Sequence, residues 1–205
     1  MTSSSSPTLA PMPKSPWAMP DTGLSVYYGR SEAPRLFHYF LPRATLEGKQ
    51  VLCLDGGNRF DPLLIARFAR KRELNSSQFS QKIRVARAFT CFQLTELLVR
   101  LPRLLRTFPA QLVIVTAFPE LYFDEDVRER EAMASFQRAF RALQAERLSA
   151  PVAVFTDATS FRSSRRVMFQ ELIAQADQVL KFTVNESTGL SLTNEKFATV
   201  PKVLR

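Results

Sequence analysis

Short apolar and β-branched runs recur along this chain, separated by stretches of helical periodicity, and that alternation restricts the fold more than any other feature. Runs of strand length occur at 51–54, 83–87, 112–115, 152–156 and 179–184. Several are unbroken rather than alternating, as expected of strands covered on both faces. Between them, Asp61-Pro62 is a helix start with a capping carboxylate and a proline at the first helical position, and Leu63, Leu64, Phe68 and Ala69 follow on one face. A helix over about 92–108 is built on Leu94, Leu97, Leu98, Leu101 and Leu105, with Pro102 predicted to kink it. A longer one over about 127–148 uses Met133, Phe136, Phe140 and Leu143, and another spans 167–175. Two final strands, 179–184 and 190–197, turn around Ser187-Thr188-Gly189. Repeated β-α-β units predict an α/β fold with a mostly parallel sheet, helices on both faces and a C-terminal β-hairpin.

The entrance to the first helix has a defined spacing. A phosphate-cradling loop reads glycine, four residues, then Gly-Lys-Ser/Thr. Here Gly29 is followed, after four intervening residues, by Pro34, Arg35 and Leu36. Proline replaces the second glycine, arginine the lysine, and an aliphatic side chain the magnesium-binding hydroxyl. Pro34 also removes an N–H from the anion nest. The spacing for a nucleotide is kept while the groups that would hold it are replaced.

The segment Asp55-Gly56-Gly57-Asn58-Arg59-Phe60-Asp61-Pro62 is similar to the Asp-Thr-Glu-Gly-Thr-Phe-Arg-Pro segment of archaeal and eukaryotic strand-exchange recombinases of the RecA superfamily. Val85-Ala86-Arg87-Ala88-Phe89 resembles the Val-Ala-Arg-Ala-Phe/Tyr strand that follows it there. The likeness continues through Gln93 to the 112–115 strand and covers about residues 25–185. It implies a RecA-like P-loop NTPase core. Carried across position by position, the water-orienting glutamate of that family falls on Gly57 and the Walker B aspartate on Thr116. With Arg35 in place of the lysine, three parts of a phosphoryl-transfer site are altered. The implied protein is a pseudo-ATPase, with no catalytic residues, no cofactor and no metal.

Charge bears on partners. The 205 residues carry 28 Lys and Arg against 19 Asp and Glu, a net +9, which favours polyanions or an acidic protein surface. In the RecA family a DNA-facing loop follows the strand that here ends near Asp157, and the matching segment carries Phe161, Arg162, Arg165 and Arg166. Arginines for phosphates and an aromatic for stacking form a single-strand binding set; the competing reading is a solvated lead-in to the next helix. The corresponding first loop, 120–131, is acidic, with Glu120, Asp124, Glu125, Asp126, Glu129 and Glu131 against Arg128 and Arg130, and should repel a phosphate backbone. Carboxylates entering a helix also complement its dipole.

Residues 1–22 read as a disordered leader rich in serine and proline, ahead of a single RecA-like domain over 23–205. Trp17 within it either folds back on the domain or serves as a docking anchor; the Phe-x-x-Ala motif with which the recombinases hook neighbouring subunits does not occur there. No apolar run is long enough to span a bilayer and no secretory signal is evident, so a cytoplasmic protein is expected, nuclear if eukaryotic. Cys53 and Cys91 lack metal-ligand spacing, and His38, the only histidine, reads as a helix-packing residue. The expected role is a non-catalytic RecA-like accessory protein of DNA recombination or repair. It would form a hetero-oligomer with a recombinase, a polymerase accessory or another repair protein, and touch single-stranded DNA. Two other readings remain: a damage-response adaptor without DNA contact, in mutagenesis or division control, and an atypical enzyme binding nucleotide through Arg35 and backbone amides.

Overall fold

The computed structural model describes residues 20–29, 33–146, 149–160, 163–185 and 189–195. Its centre is a seven-stranded sheet: β1 (Leu24–Tyr28), β2 (Val51–Gly56), β3 (Ile83–Ala88), β4 (Leu112–Thr116), β5 (Val152–Thr156), β6 (Gln178–Asn185) and β7 (Gly189–Asn194). The spatial order is β3-β2-β4-β5-β1-β6-β7. All neighbours are parallel except β6 and β7, the expected C-terminal antiparallel pair. The predicted end of that last strand, at Phe197, lies outside the described residues, as does the leader through residue 19 with Trp17.

Helix placement follows from handedness. From β1 through α1 (Phe37–Leu46) to β2, and through α2 (Pro62–Lys71) and α3 (Ser76–Gln81) to β3, the chain moves toward one edge. It then reverses, through α4 (Cys91–Val99) and α5 (Leu101–Thr107) to β4, α6 (Glu129–Glu146) to β5 and α7 (Arg166–Gln175) to β6. Right-handed crossovers running in opposite directions must cover opposite faces. Accordingly Tyr27, Val51, Cys53, Leu112, Ile114, Ala153 and Phe155 pack under α1, α2 and α3. The intervening residues Val26, Leu52, Leu54, Val113, Val115, Val152 and Val154 pack under α4 to α7. Rings dominate both layers: Tyr27 stacks on Phe155 at 4.7 Å, and Phe118 on Phe136 at 5.3 Å.

Local sequence explains several helix starts. Asp61 accepts from Leu63 N–H at 2.8 Å with Pro62 in the first turn. Asn75 caps α3 through Ser77 and Gln78 N–H, and Thr90 caps α4 through Gln93 N–H while the Gln93 amide accepts from Phe89 N–H. The helix predicted over 92–108 is two helices: the first ends at Val99, and Pro102 lies in the first turn of the second. Proline is favoured at a helix start and cannot donate inside one, so it separates the segments rather than bending a single rod. The strand Leu24–Tyr28 and the short helix Ser76–Gln81 have no counterpart among the sequence-based predictions.

Candidate functional site

The order of this sheet differs from the dinucleotide-binding order 3-2-1-4-5-6, because β1 lies between β5 and β6. Its connections leave in opposite directions twice, away from each other between β2 and β4 and past each other between β5 and β1. Ligand crevices of open α/β sheets form outside the carboxyl ends of such strands. Those ends bring together Gly29, the Asp55-Gly56-Gly57 turn, Thr116-Ala117 and Asp157. Every position singled out around the phosphate-loop spacing is therefore gathered on one rim.

Among the described loop residues, only Arg35 carries a cationic side chain. Pro34 to Arg35 forms part of a 3-10 turn over Ala33–Arg35. Pro34 is buried, and Leu36 packs into the layer under α1, 5% exposed. Arg35 is exposed to solvent. Gly29 N–H bonds to Thr156 O at 3.3 Å and so is engaged with the sheet.

Asp55, fully buried, accepts from four directions. Oδ1 takes Arg59 N–H at 2.8 Å and lies 3.2 Å from the Thr116 hydroxyl, whose other acceptor is Gly56 O at 3.1 Å. Oδ2 takes Phe60 N–H at 3.0 Å and pairs with the Arg87 Nε at 3.6 Å. This carboxylate ties the Gly-rich turn to β3 and β4 and has no open lone-pair direction toward solvent. A Cβ at Gly56 would lie 2.4 Å from Thr116 O, and Gly57 has φ +74. Gly57 thus serves the backbone of a tight turn.

A second knot sits beside it. Glu120, 7% exposed, accepts Asp157 N–H through Oε1 at 2.7 Å, while its Oε2 has no hydrogen-bond partner. Burial first, and the neighbouring Asp157 carboxyl second, push the Glu120 carboxyl up to about 8, so it is protonated at neutral pH. Asp157 pairs with Arg59 across 3.4 Å. Ala117, with φ 55, starts the turn that delivers Glu120 to this position. His38 completes the rim. Its Nε2 accepts Asp61 N–H at 2.9 Å, which leaves the proton on Nδ1 to be donated to Arg35 O at 2.9 Å. Burial lowers its pKa, and the neutral ring staples the 3-10 turn to the cap of α2.

No protein-family model and no curated protein matches this chain.

The predicted single-strand set is not brought together as expected. Arg165 is 7% exposed, and its guanidinium donates to Tyr122 O at 2.9 Å, Asp124 O at 2.7 Å and Val127 O. Three fixed carbonyls satisfy the planar fork, so this arginine clasps the turn before α6 instead of facing a phosphate backbone. Arg166 is exposed at the start of α7, while Phe161 and Arg162 lie outside the described residues. In the acidic 120–131 segment, Glu120 is interior, and Glu129 and Glu131 occupy the first turn of α6, where they complement its dipole.

Two features were not legible in the sequence. The Glu120–Asp157–Arg59 knot joins residues from three separate connections, with no spacing to reveal it. An apolar groove of about 340 Å³ also opens beside β3, lined by Phe60, Ile65, Ala69, Phe79, Ile83 and Val85. Among the described residues no group of His, Cys, Asp and Glu is arranged to hold a metal ion, and no helix is long and apolar enough to cross a membrane.

Proposed function

We propose that this chain is a catalytically inactive, RecA-like accessory protein of DNA recombination or repair that acts by binding a protein partner. The observation that carries the reading is the state of the carboxyl-end rim. Asp55, Thr116, Arg59, Asp157 and Glu120 are engaged with one another, and Leu36 occupies core where a metal-binding hydroxyl would be needed. Phosphoryl transfer depends on a positioned cation, a metal-associated carboxylate and a water-orienting group. Here the corresponding positions are an exposed arginine, a threonine bonded to an aspartate, and a glycine needed by its turn. The RecA likeness of the 55–62 and 85–89 segments supplies the process.

The engagement of Arg165 favours the adaptor form of this reading, with protein contact primary and DNA contact confined to what Arg166 and its neighbours provide. The test is purified protein with Mg-ATP. A competent pocket at a hundredfold over its dissociation constant would stabilise the fold by about 2.7 kcal/mol. The expected results are no thermal shift at millimolar nucleotide, no phosphate release, and recovery of a recombinase or polymerase component by cross-linking in the native host. A saturable shift accompanied by phosphate release would overturn the inactive assignment.

A further inference from the structure

The chain's charge is concentrated at one edge of the sheet. Residues 62–108 hold ten Lys and Arg against only Glu73 and Glu96, a net +8 of the chain's +9. That segment forms α2, α3, β3, α4 and α5, with β3 as the last strand of the sheet. Arg67, Arg70, Lys71 and Arg72 on α2 and Arg84 and Arg87 on β3 are all exposed.

Among the described residues no strand pairs with the outer side of β3. Val51 N–H bonds to Lys82 O and Gly57 N–H to Ala88 O, so the even-numbered residues of this stretch face β2. In a parallel ladder the alternate residues turn their N–H and C=O the other way. The backbone groups of Ile83, Val85 and Arg87 therefore point outward, and the groove over Ile83 and Val85 lies directly beside them. Exposed apolar side chains flank the same edge, Leu63 at 65% and Phe89 at 61%. An unpaired strand is a template for another strand, and proteins usually protect such edges. Here the groove, the outward ladder and the basic rim coincide.

We propose that β3 and its groove form a docking site for an extended acidic segment of another protein, added as an eighth strand. Its backbone pairs with Ile83, Val85 and Arg87, an apolar side chain enters the groove, and its carboxylates meet the exposed Arg67, Arg70 and Lys71 of α2. Charge excludes this chain's own termini as occupants. Residues 1–20 contain Lys14 and no acid, and residues 196–205 contain Lys196, Lys202 and Arg205 and no acid. A nucleic acid would satisfy the charge but would use neither the groove nor the outward ladder. The inference deepens the accessory reading by naming its partner chemistry, and it stands independently of whether the rim binds nucleotide.

A display library of random dodecapeptides panned against the full chain tests it, with selected peptides measured by fluorescence anisotropy. The expected winners are net negative with apolar residues at alternate positions. Two variants probe the site: one at Val85, which is partly buried and packs against the edge of the core, and one at the exposed Ala66, which controls for any loss of stability in the first. Val85→Pro removes one outward N–H and no ladder bond to β2, and Ala66→Trp, at an exposed position beside the groove, fills it. Each should weaken binding about tenfold or more, as should Arg67→Glu with Arg70→Glu, with thermal midpoints close to the parent. The proposal is overturned if selection enriches no acidic peptides, or if their affinity is unchanged in Val85→Pro and Ala66→Trp. It is equally overturned if a labelled oligonucleotide displaces them and depends on the arginines but not on the groove.

Discussion

Replacing Glu120 by glutamine removes one buried proton-binding group while keeping an acceptor for Asp157 N–H. In the folded chain burial, reinforced by Asp157, raises this carboxyl from 4.5 to about 8. The native state therefore holds a proton that the unfolded chain releases above its ordinary carboxylate range. The associated stability is fully present below pH 4.5 and is lost as pH rises toward about 8. At roughly 1.4 kcal/mol per pH unit the whole shift corresponds to an upper bound of about 5 kcal/mol. The substitution Glu120→Gln abolishes that loss, and its amide N–H can be donated toward the Asp157 carboxyl.

Urea unfolding followed by circular dichroism at half-unit steps from pH 5 to 9 measures the effect. The two proteins should be similar near pH 5. By pH 8.5 the variant should be more stable by about 2 to 5 kcal/mol, a midpoint difference on the order of 1 M urea. His38 acts in the opposite sense: burial lowers its pKa, so its contribution falls away as pH drops. It is present in both proteins and cancels in the difference. A variant whose offset from the parent is the same at pH 5.5 and 8.5, or which is weaker throughout, would refute the assignment of a buried proton to Glu120.

The remaining expectations concern residues whose roles the structure separates. Arg165→Ala removes the guanidinium that bridges the buried Tyr122 carbonyl to the partly buried Asp124 and Val127 carbonyls and should cost about 1 to 3 kcal/mol in chemical denaturation, whereas Arg166→Ala, on the surface, should stay within about 0.5 kcal/mol. Equal effects from the two would contradict the clasp. Gly56→Ala forces a Cβ against Thr116 O at 2.4 Å and should lower stability by about 3 kcal/mol or more, read as a fall in thermal midpoint. An unchanged midpoint would mean that β2 and β4 can separate at their carboxyl ends without cost.

Much of the architecture is legible in the amino-acid order, because strand and helix formation here depends on local patterns. The apolar runs at 51–54, 112–115 and 152–156 became central strands buried on both faces, and Asp61-Pro62 capped a helix as read. Pro102 marked a break in the right place, though it begins a helix rather than kinking one. The gathering of the altered loop, Gly57 and Thr116 on one rim also agrees with spacing, because each follows a strand end.

What the order could not reveal depends on distant residues meeting. Arg165 reads as one of several arginines in a polar loop. Only the tertiary fold shows that carbonyls about forty positions earlier in the chain satisfy it. Glu120 belongs to an acidic stretch in sequence and to the interior in space, since burial is decided by what packs over a residue and not by its neighbours in the chain. The edge position of β3 is likewise a consequence of strand order. The sequence by itself determined that a mostly parallel sheet flanked by helices would form. Tertiary structure alone decided which carboxyl group would be buried, which arginine would be engaged, and that β3 would lie at an edge of the sheet.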